Sequence, residues 1–130
     1  MTKHELSQLY HLKREIADEQ EKLMQLEAAA TSTASTISGV SYSGTISNKT
    51  GLAADIADSR NILIAKQCVA AIEYNRIMRY ITGVKESFIR RILEARYIDG
   101  LSWQGVADKI GGNNTADSVR MAVNRFLRTK

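Results

Sequence analysis

The chain has 130 residues, no proline, a single cysteine and a formal net charge of +4, with 44% hydrophobic and 25% charged residues. At the usual ~5% a chain of this length carries about six or seven prolines, so their absence points to uninterrupted helices joined by Gly, Ser, Asn and Thr. No apolar run approaches the ~20 residues of a membrane span, residues 1–5 open no signal-peptide core, and Cys68 alone makes neither an internal disulfide nor a structural zinc site, which together point to a cytoplasmic globular protein.

The first element, residues 1–30, is expected as a coiled-coil-like helix. Leu9, Leu12, Ile16, Glu19, Leu23, Leu26 and Ala30 recur at alternating spacings of three and four, with Glu19 the one polar break. So narrow a stripe cannot bury itself alone and calls for another helix, from this chain or a second one. Its polar face mixes acids and bases, which argues for a structural or oligomerising helix over a membrane-surface one. His4 and His11 could share a helical face without a third ligand, so no metal is expected.

Residues 31–51 read as a connector: 11 of the 21 are Ser or Thr and three are Gly. The alternation Ile37, Val40, Tyr42, Ile46 leaves a hairpin or edge strand open, but this density of Ser, Thr and Gly favours a linker. No Gly-rich loop followed by Lys and Ser/Thr is present for phosphate binding.

A second long helix is expected over 52–82, with Thr50 or Gly51 before it, Asp55 and Asp58 near its positive end, and Arg76 and Arg79 near its negative end. Its apolar set (Leu52, Ile56, Leu63, then Val69, Ile72, Ile77, Tyr80) changes face midway, which implies more than one neighbour. Cys68 reads as a small buried hydrophobe. The two long helices form the expected stem, as an antiparallel hairpin or by association between chains.

After Gly83 the texture changes and the charge becomes positive. Residues 1–83 carry nine Lys/Arg and nine Asp/Glu, whereas residues 84–130 carry nine Lys/Arg against five Asp/Glu. Concentrated positive charge in a small domain is the electrostatic footprint of a nucleic-acid binder. Three amphipathic pieces follow. The first covers 84–99, with Phe88, Ile89, Ile92, Leu93 and Tyr97 on one side and Gly100 at its close. The second covers 103–110, with Ser102 as N-cap, Trp103 half-buried at its start and Gly111-Gly112 at its end. The third is capped by Asn114 or Thr115 and buries Val119, Ala122, Val123, Phe126 and Leu127.

Two short helices across a Gly-bearing turn, with a third helix behind, make a helix-turn-helix. The expected architecture is therefore all-α: a coiled-coil-like stem and a C-terminal three-helix domain over 84–130. The outer side of the last helix offers Asp117, Arg120, Met121, Asn124, Arg125 and Arg128, and Asn113, Asn114 and Thr115 lie just before it. Arg and Asn read guanine and adenine edges, and Arg also neutralises phosphates. Arg90 and Arg91 read as phosphate-facing or solvated. No set of nucleophile, base and oxyanion donor can be assembled, so neither an enzyme nor a cofactor is expected.

The stretch RILEARYIDGLSWQGVADKIG over residues 91–111 resembles the helix-turn-helix in the fourth region of bacterial sigma factors. It is more closely similar to phage and prophage proteins of Gram-positive bacteria that share the module, among them late-gene transcriptional activators of the ArpU and RinA type. The marked part covers about 40 residues, 90–129; the rest matches only in layout. The resemblance implies a sequence-specific duplex-DNA-binding regulator in the bacterial host cytoplasm, able to meet RNA polymerase, and the stem of N-terminal helices implies a dimer or higher homo-oligomer. Two alternatives stay open: a small terminase subunit recognising packaging DNA, and an RNA-polymerase interaction protein that binds no DNA. One departure stands out. Residues 112–118 (GNNTADS) put about two more residues between Gly111 and Val119 than the usual sigma-type turn, and so bear on how the last helix docks.

Overall fold

The computed structural model describes residues 1–35 and 42–129, with side chains outside 32–50. The protein is all-α. Helix α1 runs Lys3–Ser35, α2 Tyr42–Thr82, α3 Ser87–Leu93 with a π-helical turn at Glu94–Ile98, α4 Trp103–Ile110 and α5 Ala116–Arg128. Among the described residues no helix is long and apolar enough to cross a membrane. The chain divides into two compact units, Arg14–Val69 and Met1–Lys13 with Ala70–Lys130.

In the Arg14–Val69 unit, α1 and α2 lie antiparallel, because Glu19 meets Ser59 and Lys66 while Glu27 meets Arg60. The stripe expected on α1 is the buried or half-buried one: Ile16, Glu19, Leu23, Leu26 and Ala30. Facing it is a stripe of the same heptad spacing on α2, made of Leu52, Ile56, Ser59, Leu63 and Lys66. The partner that the α1 stripe needs is thus supplied by the same chain. Glu19, the polar break, is only 6% exposed and does not interrupt the packing. It accepts from Ser59 Oγ and Lys66 Nζ, each at 3.4 Å, and Lys22 Nζ lies 3.9 Å away.

The mid-helix change of face expected in α2 does not occur. The three-four spacing continues in the second unit through Ala70, Glu73, Ile77 and Tyr80, all buried or half-buried, while Val69 and Ile72 are exposed. Following apolar residues alone misses a seam that includes Ser59, Lys66 and Glu73. Cys68 is likewise exposed rather than buried.

Both long helices extend into the Ser/Thr-rich stretch read as a connector: the backbone of 31–35 and of 42–51 is helical. Thr31 shows how a hydroxyl residue fits there, its Oγ1 donating to the Glu27 carbonyl at 2.9 Å. Ile37 and Val40, from the alternation considered as a hairpin, lie outside the described residues.

The second unit is built on Leu6 and Leu9 of α1, Ile77 and Ile81 of α2, Val84, and the inward faces of the three C-terminal helices: Ile89, Ile92 and Leu93, then Val106 and Ala107, then Val119 and Val123. Thr2 and Glu5 form a capping box at the start of α1, in which Glu5 N–H donates to Thr2 Oγ1 at 3.2 Å and Thr2 N–H donates to Glu5 Oε2 at 2.7 Å. Glu5 Oε1 also accepts from Arg76 Nη2 at 2.7 Å, which joins α1 to α2.

The element expected as one helix over 84–99 is shorter at its start and widens at its end. After α3 the Asp99 N–H donates to the Glu94 carbonyl, five residues back, at 3.0 Å. The apolar pairs explain the wide turn: Ile92-Leu93 and Tyr97-Ile98 are five apart, and all four are buried. A regular α-turn would swing the second pair off the core side by more than 100°. Lys13 Nζ closes this end by donating to the Ile98 carbonyl at 2.9 Å.

Candidate nucleic-acid interface

Helix α4 starts at Ser102, whose Oγ accepts from the Gly105 N–H at 3.1 Å, and ends at Gly111. Trp103 is half-buried, as its place at the helix start suggests, with the Arg96 guanidinium 4.7 Å from its ring centre. Arg96 Nη1 also donates to the Leu101 carbonyl at 2.8 Å, so this cation is engaged within the fold.

The turn from α4 to α5 uses three consecutive left-handed residues, Gly111, Gly112 and Asn113, with φ of 72°, 66° and 64°. Glycine enters that region without a Cβ penalty, and Asn is among the side chains that tolerate it best. Asn114 then folds back, its Nδ2 donating to the Gly111 carbonyl at 2.7 Å. Of the two candidate caps, Thr115 is the one used. Thr115 Oγ1 accepts from the Ser118 N–H at 3.1 Å, and Ser118 Oγ accepts from the Thr115 N–H at 2.9 Å. The longer turn therefore closes into a defined start for α5.

Helix α5 buries Val119 and Val123 and turns Asp117, Arg120, Met121, Arg125 and Arg128 outward as exposed residues. Asn124 shares that side but is half-buried beside residues 1–3. Its Oδ1 is buried with no hydrogen-bond partner among the described residues. Arg120 Nη2 donates to Asp117 Oδ1 at 3.1 Å on the helix surface. The guanidinium groups of Arg125 and Arg128 have no partner among the described residues.

The other residues expected at the interface fall into two groups. Arg91 is exposed. Arg90 is half-buried and engaged, donating to the Val84 carbonyl at 2.8 Å and to Ser87 Oγ at 3.0 Å, so it anchors the start of α3. Asn113 is exposed, whereas Asn114 and Thr115 build the turn. Lys109 is tied to Asp99 at 2.6 Å, across the loop before α4.

Sequence reasoning missed Lys3, which lines a cleft with Asn124, Leu127 and Arg128 at the C-terminal half of α5. Only a contact across more than a hundred residues brings it there, and no local signal announces it.

No family model, curated protein or solved structure matches the chain.

Proposed function

We propose that this chain is a sequence-specific duplex-DNA-binding protein that reads the major groove with α5. The observation that carries the reading is the outer face of that helix: Arg120, Met121, Arg125 and Arg128 lie exposed opposite buried Val119 and Val123. A capped start and a helix-turn-helix connection support it, since such a helix presents its N-terminal part to base edges while flanking cations hold phosphates. Arg120 and Arg125 are the candidates for base or phosphate contact, Arg91 and Arg128 for phosphate contact, and Asn124 for adenine. The resemblance of residues 91–111 to the sigma-type module supports the role in this reading: a transcriptional regulator of phage or prophage genes, working as a homo-oligomer in the bacterial cytoplasm.

A salt titration of duplex binding tests this. Four or five phosphate contacts per module give a slope of log affinity against log salt of roughly −4. Measurable binding to random duplex at low salt, falling with that slope, is the expected result. Absence of affinity for any duplex at low salt overturns the proposal.

A further inference from the structure

We propose that the cavity between the start of α1 and the π-turn is a binding site for a nucleoside monophosphate. The site uses none of the α5 residues and stands whether or not that helix binds DNA.

The cavity lies wholly within the second compact unit and encloses about 420 Å³. Small-molecule sites usually hold ~300–1,000 Å³. Helix α1 supplies Ser7, Tyr10 and His11, the π-turn supplies Arg96 and Tyr97, and Ser102 stands just before α4. Turns of this wide kind occur frequently at functional sites.

Tyr97 is the residue that calls for a ligand. It is only 6% exposed, yet its hydroxyl has no hydrogen-bond partner among the described residues, and a buried phenol ordinarily finds one. Burial pushes the phenol above its ordinary value, against the pull of the Arg96 charge. At neutral pH it is therefore an O–H donor beside a cation.

The lining selects an anion that carries a flat ring and hydroxyls. Among the described residues no Asp or Glu lines the cavity. Arg96 commits Nη1 to the Leu101 carbonyl and lies over the Trp103 ring. Those contacts hold the guanidinium in place and leave further donors of its fork for a phosphate. Tyr10 and His11 meet edge to face with ring centres 5.4 Å apart, an aromatic wall suited to a base. Ser102 Oγ accepts from the Gly105 N–H and keeps its own O–H to donate, whereas Ser7 Oγ donates to the Lys3 carbonyl and can still accept. That pair complements sugar hydroxyls, which both donate and accept. A single-ring carboxylate leaves these serines and much of the volume unused, and inorganic phosphate leaves the rings unused.

Calorimetric titration and thermal unfolding of the full chain with AMP, GMP, CMP and UMP test this, with inorganic phosphate and the free nucleosides as controls. At least one nucleotide is expected to bind with a Kd below about 1 mM and to raise the unfolding midpoint by mass action. Inorganic phosphate and the matching nucleoside should each bind about tenfold more weakly or worse. Tyr97→Phe removes only the unpartnered hydroxyl and should weaken nucleotide binding about threefold or more. Tyr10→Ala, at an exposed position, should weaken it about as much through the lost ring. Both variants should keep their helical content, and Arg120→Ala/Arg125→Ala should bind nucleotide like the wild type. No nucleotide bound at about 5 mM, phosphate or nucleoside bound as well as the nucleotide, binding indifferent to both tyrosine variants, or binding lost with the α5 pair overturns the proposal. If Tyr97→Phe also loses helical content, Tyr10→Ala alone decides. Duplex affinity without nucleotide binding contradicts this site and leaves the DNA reading standing; nucleotide binding without duplex affinity does the reverse.

Discussion

Glu19 on α1 holds Lys66 on α2 at 3.4 Å, with the carboxylate nearly closed to solvent and Ser59 Oγ donating to its other oxygen. This polar cluster occupies a seam position that an aliphatic residue would otherwise fill. Removing one partner leaves a buried or half-buried polar group unpaired, whereas replacing the whole cluster with apolar residues does not. Glu19→Ala should destabilise the protein by about 1–3 kcal/mol in urea unfolding. Glu19→Leu combined with Lys66→Met should be at least as stable as the wild type. A double variant markedly weaker than Glu19→Ala would show that the cluster stabilises the hairpin beyond its geometry.

Lys13 and Ile98 give a second prediction. The Lys13 ammonium donates to the Ile98 carbonyl at the end of the π-turn, where carbonyls lack helical partners. Lys13→Met keeps most of the aliphatic stem and removes the donor. It should cost about 0.5–1.5 kcal/mol and speed amide exchange at residues 98–101 more than within α5. Equal acceleration in both segments would mean that Lys13 does not act locally.

Glu5 sets an acid-side prediction. The Thr2 backbone N–H, then the Thr2 hydroxyl and Arg76, hold its carboxyl below the ordinary value of 4.5. The folded state thus favours the ionised form. Its contribution is present above the ordinary value and disappears as pH falls through the lowered one. Glu5→Gln should therefore narrow the stability gap between neutral and acid pH, read by thermal unfolding across that range. An unchanged acid limb would show that the Thr2 and Arg76 contacts do not persist in solution.

Much of the fold is legible in the sequence, and the exceptions have physical causes. The α1 stripe can be read because its apolar residues keep strict spacing, and one buried Glu does not erase the pattern. The α2 seam cannot be read that way. Ser59, Lys66 and Glu73 occupy inward positions, while Val69 and Ile72 face out, so hydrophobicity and burial part company on this helix. The π-turn leaves a trace, the spacing of five between Ile92-Leu93 and Tyr97-Ile98, which a helix-period reading passes over. On α5, the outer face follows directly from the positions of buried Val119 and Val123. The engagement of Arg90 with Val84, and the cleft that residues 1–3 share with Asn124, depend on a local turn and a long-range approach. Neither is written in residue spacing.

Binding of duplex DNA by the outer face of α5, as proposed, is tested by comparing the duplex affinity of the wild type with that of Arg120→Ala/Arg125→Ala at one low salt concentration. Both side chains are exposed, so helical content and unfolding midpoint should stay unchanged. The double variant is expected to lose affinity at least tenfold, about 1.4 kcal/mol. Equal affinity in the folded double variant would contradict it.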